Sequence, residues 1–130
     1  MTTKIKNMAH AINWFEIPAK DFNRANIFYE TILGTSMQPM EAMGMKSAFF
    51  PADLENGSIG GCIIEGPGYE PSNTGSLVYL NGGEDLSIVL SKVEQAGGKI
   101  ILPKTGIGPH GFMAYFEDSE GNKVGLHSAK

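Results

Sequence analysis

Residues 12–34 read INWFEIPAKDFNRANIFYETILG, and residues 76–98 read SLVYLNGGEDLSIVLSKVEQAGG. Each is a strand-like apolar run, then Asp followed by a bulky apolar residue, then a helical pattern closed by Gly. Laying Asp21 on Asp85, 64 residues apart, also lays Phe22 on Leu86, Ala25 on Val89, Tyr29 on Val93 and Gly34 on Gly98. A pattern repeated at a fixed offset marks a duplicated supersecondary unit, so it decides the architecture before any single element does.

The helices follow from spacing. Phe22, Ala25, Phe28, Tyr29 and Ile32 recur every three to four residues, as do Leu86, Val89, Leu90, Val93 and Ala96. Asp21 and Asp85 suit the N-cap or first turn, where a carboxylate meets free backbone N–H groups. Gly34 and the pair Gly97-Gly98 suit the C-terminal stops.

Strand-like stretches follow each helix, at 35–40, 45–50 and 58–65, then at 99–102, 111–116 and 123–127. Asp118-Ser119-Glu120-Gly121-Asn122 and Asp53-Leu54-Glu55-Asn56-Gly57 carry hairpin-turn residues, with Gly57 again 64 before Gly121. The stretch 66–74 is rich in Gly, Pro and Ser. The expected fold is α+β: two tandem βαβββ modules, about 9–65 and 75–128, joined by a 66–74 linker and forming a curled mixed sheet around a central cleft. One domain accounts for all 130 residues. A single ferredoxin-like sheet with extra strands is the competing arrangement, and it leaves the repeat unexplained.

Composition narrows the function. With 42% hydrophobic and 18% charged residues the chain is neither disordered nor fibrous. A net charge of −4 offers no basic footprint, which argues against nucleic acid and against an anionic membrane surface. Cys62 is the only cysteine, so no internal disulfide forms and a reducing compartment is expected. The opening MTTKIKNMAH lacks a signal peptide's apolar core, and no run reaches the ~20 apolar residues of a membrane span. A cytoplasmic protein is the expectation.

The stretch Gly111-Phe112-Met113-Ala114-Tyr115-Phe116 with Glu117-Asp118-Ser119-Glu120-Gly121-Asn122-Lys123-Val124-Gly125-Leu126, together with Asp21-Phe22 through Phe28-Tyr29, resembles the vicinal oxygen chelate superfamily of glyoxalase I, bleomycin-resistance proteins and extradiol dioxygenases. Lys104-Thr105 through Gly108-Pro109 fits the small bacterial proteins loosely called related to lactoylglutathione lyase. The resemblance spans about residues 9–128. It implies modules that curl around a cleft, and in the metal enzymes His, Gln or Glu ligands on the first and last strand of each module. Here those positions are Trp14, Gly61, Val78 and Gly125.

Indole, isopropyl and hydrogen side chains lend no lone pair to a cation, so the expected cofactor is none. A one-residue slip in a strand swaps faces, giving Asn13 or Phe15, Gly60 or Cys62, Leu77 or Tyr79, and Val124 or Leu126, a set no better supplied. A divalent metal held unusually by Glu16, His110 and His127 is the alternative. No ligand-spacing motif accompanies it.

If Trp14 faces the cleft, alternation brings Glu16 with it and sends Phe15 and Ile17 beneath the helix. Gly125 and His127 likewise share the cleft face with Lys123. Trp14 reads either as a stacking wall for a ligand or as core. Glu16 is either a general base or a solvated strand-end charge, and His127 either an acid–base group or a surface histidine near the chain end. Met113 and Tyr115 are assigned to the cleft, with Phe49 as the counterpart of Met113 one repeat earlier. Cys62 is assigned to the helix side as a small apolar residue. Met40, Met43 and Met45 suit either an adaptable binding surface or gap filling.

The resulting expectation is a protein that binds a small, partly apolar molecule through Trp14, Glu16, Phe49, Gly61, Val78, Met113, Tyr115, Gly125 and His127. The alternative is a lyase, isomerase or dioxygenase acting through Glu16 or His127. The resemblance also implies a homodimer.

Overall fold

A computed structural model of the chain describes residues 10–130, so the opening nine residues and the start of the first module lie outside the described residues. The first module is β1 (Trp14–Pro18), α1 (Phe22–Leu33), β2 (Gln38–Ala42), β3 (Met45–Phe49) and β4 (Gly60–Glu65). The second is β5 (Val78–Asn81), α2 (Ser87–Leu90), β6 (Lys99–Gly106), β7 (Phe112–Glu117) and β8 (Lys123–Ser128). Each module makes a four-stranded mixed sheet, ordered β1-β4-β3-β2 and β5-β8-β7-β6, with β1–β4 and β5–β8 parallel. The α+β class and the duplicated βαβββ unit are as expected.

The caps of α1 form where the sequence placed them. Asp21 accepts a bond from the Arg24 N–H at 3.1 Å, and Gly34 closes α1 at φ +67°. Asp85, one residue ahead of the α2 N-cap Leu86, accepts from the Ser87 N–H at 2.9 Å, and α2 closes at Ser91 instead of at Gly97-Gly98. The second helix is shorter than its periodicity predicts. Beyond Leu90 the chain tightens into i→i+3 bonds such as Lys92 N–H to Val89 O, so only one regular α-turn survives. The 35–40 strand starts three residues later, at Gln38, because a Met43-Gly44 turn with both φ values positive sets the β2–β3 hairpin. That turn leaves Met43 90% exposed, a surface residue rather than a gap filler.

One apolar core serves both modules. The helix-facing sides of the sheets (Ile17, Ala48 and Ile63; Leu80, Ala114, Phe116, Val124 and Leu126) bury together with Phe28, Tyr29, Ile32, Leu86 and Val93. The α1 helix reaches both sheets. Tyr29 packs edge-on to Phe50 on the first, and the Phe28 ring sits 5.9 Å from Phe116 on the second.

A polar lock joins the modules. Asp118, 4% exposed, accepts the Tyr29 hydroxyl at 2.7 Å, the Asn122 N–H at 2.9 Å and the Glu120 N–H at 2.8 Å. Asn122 Nδ2 donates across the module boundary to Pro18 O at 2.7 Å. Glu120 accepts the Lys20 and Asp21 N–H groups and pairs with Arg24 at 2.7 Å. The turn that carried the family resemblance is therefore an inter-module clasp. Burial pushes the Asp118 carboxyl up, partly offset by Tyr29 and Asn122. Burial also raises Glu120, but Arg24, the Asp21 N–H and Ser119 outweigh it and leave that carboxyl lowered.

Candidate functional site

With the helices between them, the two sheets turn their other faces outward. Paired residues on neighbouring strands share a face, so the register assigns every side chain. Trp14 pairs with Gly60, Glu16 with Cys62, and Phe49 with Cys62, which gives the open face of the first sheet. Tyr79 pairs with Gly125, Asn81 with His127, Met113 with His127 and Tyr115 with Gly125, which gives the open face of the second. Trp14, Glu16, Phe49, Met113, Tyr115, Gly125 and His127 thus lie where alternation placed them.

Three assignments are corrected. Gly61 and Val78 face the helices: Gly61 is covered by the Phe15 ring, and Val78 packs on the core. Cys62 lies on the open face, beside Glu16 and Trp14, instead of the helix side. The cause is a one-residue difference between modules. Ile17 corresponds to Leu80 and Ile63 to Leu126, and the Ala19 N–H bond to Ile64 O matches that of Gly82 to His127 O, all at an offset of 63. The strand-to-helix connection of module two holds one extra residue, so the helices repeat at 64, whereas β1 and β4 repeat in β5 and β8 at 63. By the same pairing, Tyr115 rather than Met113 is the counterpart of Phe49.

On the first sheet's face, Trp14 (38% exposed) meets Phe49 edge-on at 5.6 Å. Tyr69, from the inter-module linker, donates its hydroxyl to Glu16 at 2.9 Å. Burial, helped by the charge of Glu16, pushes the Cys62 thiol up to about 11, against a lowering contact from Trp14. That thiol is a poor metal ligand and a poor nucleophile at neutral pH.

On the second sheet's face, Tyr79 (46% exposed) lays its ring over Gly125, where a Cβ would stand 2.6 Å from Tyr79 Cδ2. Its hydroxyl meets that of Tyr115 at 2.9 Å, and this contact, with burial, holds the Tyr79 phenol above the usual tyrosine range. The Lys123 ammonium sits 4.6 Å from the Tyr115 ring centre. His127 Nε2 lies 2.6 Å from the carbonyl oxygen of His110, in the Gly108–His110 turn. Tyr79, Asn81, His110, Met113 and His127 line a cavity of about 680 Å³. A second cavity of about 450 Å³ lies where the modules meet, between Phe15, Leu33 and Phe50 and the β5 strand. Trp14, Glu16 and Phe49 line neither.

Tyr79 fills the space over Gly125, and across the first sheet Glu16 faces a thiol held protonated. Among the described residues no three His, Cys, Asp or Glu side chains converge. Tyr79, Asn81 and Tyr69 were missed in the sequence. Counting alternation back from buried Leu126 and its partner, instead of forward from the helix, would have turned Tyr79 and Asn81 outward; Tyr69 has no local signal.

No family model matches the chain. It is 30% identical over 119 residues to a glyoxylase-like domain-containing protein of Didymella fabae, covering 85% of this chain and 88% of that one. To the glyoxylase-named protein CFP32 of Mycobacterium tuberculosis it is 28% identical over 119 residues, covering 90% of this chain. It spans 45% of the length of CFP32. Its fold matches that of a glyoxalase/bleomycin resistance protein/dioxygenase family enzyme from Burkholderia phytofirmans, with TM-score 0.66 and 14% identity over 91% of this chain and 98% of that one. Among the described residues no helix is long and apolar enough to cross a membrane.

Proposed function

The chain belongs to the glyoxalase-like, or vicinal oxygen chelate, superfamily, and from that premise we propose that it binds a small, partly apolar molecule without a metal of its own. The observation that carries this reading is the second sheet's open face. There two tyrosines joined through their hydroxyls, a lysine over one ring and a glycine floor make an aromatic surface with one cation at its edge. Such a surface suits a planar ring bearing an anionic or hydrogen-bonding group.

The proposal includes a homodimer in a reducing, cytoplasmic setting. Each open face displays large apolar side chains, with Met40 53% exposed on the first sheet and Tyr79 on the second. Glu16 on one face complements Lys123 on the other, so a twofold arrangement lays unlike faces together and encloses the ligand.

The test uses 2-naphthoate titrated into the full chain with and without EDTA, followed by backbone amide NMR, beside sedimentation of the free protein. Saturable shifts at Tyr79, Tyr115 and Lys123 that ignore EDTA, in a dimer at micromolar concentration, are expected. No saturable shift up to millimolar ligand, or binding that requires added metal, sinks the binding reading; a monomer sinks the dimer.

A second reading, acid–base catalysis on the same face, is favoured by one contact. The His110 carbonyl accepts a hydrogen bond from His127 Nε2–H, which leaves Nδ1 as the ring nitrogen able to accept a proton. Metal-independent turnover of the methylglyoxal–glutathione hemithioacetal, abolished by His127→Ala, is its signature.

A further inference from the structure

Asn81 and His127 are cross-strand neighbours on β5 and β8, and both line the cavity of about 680 Å³. Two hydrogen bonds fix which atoms they offer. The Gly83 N–H donates to Asn81 Oδ1 at 2.9 Å, so the amide oxygen is occupied and Nδ2 keeps both its N–H groups. The His110 carbonyl oxygen can only accept, so the proton in the 2.6 Å contact sits on His127 Nε2. The neutral ring then presents Nδ1 as a lone-pair acceptor. Among the described residues neither Asn81 Nδ2 nor His127 Nδ1 has a hydrogen-bond partner, while Ile107, Met113 and Tyr79 supply apolar walls.

We propose that this pair is a recognition edge for a cis secondary amide: a lactam or ring imide whose C=O accepts from Asn81 Nδ2 and whose N–H donates to His127 Nδ1. A donor beside an acceptor on one strand pair matches an acceptor beside a donor on one planar ring edge. A carboxylate brings two acceptors and leaves Nδ1 unmatched. An N-alkylated lactam keeps the carbonyl and loses the proton. The methylene ring of a lactam packs on Met113 and Ile107. This inference rests on the reading of the same face as a ligand site, and adds the class of polar group that its far end takes.

The experiment titrates the full chain at about pH 8 with 2-piperidone and with N-methyl-2-piperidone. The readouts are the Asn81 side-chain amide and the His127 ring nitrogens. The secondary lactam is expected to shift both saturably and to bind about fivefold or more tighter than its N-methyl form, the discrimination one hydrogen bond supplies. Asn81→Asp, which keeps the acceptor for the Gly83 N–H and removes both donors, should weaken 2-piperidone by a similar factor. His127→Ala should erase the preference between the two lactams. Equal binding of the two lactams, or no response at Asn81 and His127, overturns the assignment. If 2-naphthoate still binds at Tyr79 and Tyr115, only this inference falls; if it too fails, the underlying site reading falls with it.

Discussion

Replacing Tyr29 by Phe removes one oxygen from the centre of the inter-module clasp and leaves the packing of the ring intact. The hydroxyl donates to Asp118 Oδ2 at 2.7 Å, with Tyr29 fully buried and Asp118 nearly so. A buried hydrogen bond to a charged acceptor contributes about 2 kcal/mol, and its loss leaves the carboxylate short of a donor. For a chain of this length that corresponds to a fall of roughly 6–8 °C in Tm. Burial and the neighbouring Asp118 charge hold the Tyr29 phenol well above the usual range, so it remains a donor throughout the accessible pH.

The pH dependence follows from Asp118. Its folded-state pKa is raised, so the stability it contributes is fully present below the unfolded value of about 3.9 and declines as pH rises through the folded pKa. Removing the Tyr29 donor raises that folded pKa further. The gap between wild type and Tyr29→Phe is therefore widest at neutral pH and narrows toward pH 4. Denaturant melts at a series of pH values measure it. A loss below about 0.5 kcal/mol at pH 7, or a gap that stays constant down to pH 4, refutes the reasoning.

Gly111 precedes β7 at φ +95°, and a Cβ there collides with the Ser128 carbonyl oxygen. Gly111→Ala should cost about 2–4 kcal/mol in denaturant melts and, by moving the turn that carries His110, should alter the His127 resonances; a loss under 1 kcal/mol contradicts the geometry. Cys62, with its thiol pushed up to about 11, is thiolate in only about one molecule in a thousand at pH 8. Its alkylation by iodoacetamide should keep accelerating up to pH 11, and a plateau below pH 9 would show that burial does not hold the proton.

Much of the fold was legible because its signals are local. The capping carboxylate at Asp21, the Asp85 bond to the Ser87 N–H and the αL stop at Gly34 are encoded within a few residues of where they act. Alternation on β7 separated Met113 and Tyr115 from Ala114 and Phe116 for the same reason. The site was less legible. The offset of 64 measured on the helices carried into β5 and β8 one residue wrong, and in a sheet one residue is a face. That put Gly61 and Val78 at the site and hid Tyr79, Asn81 and Cys62.

The amino-acid sequence by itself determined the α+β class, the duplicated βαβββ unit and the caps of α1, since each depends on residue type and short-range spacing. Only the tertiary structure decided the strand register, the clasp of Asp118 and Asn122 across the modules, and the outward turn of two separate aromatic faces. Those depend on hydrogen bonds and packing between residues tens of positions apart, such as Gly82 N–H to His127 O and Tyr29 to Asp118. Nothing in the local chain announces such partners.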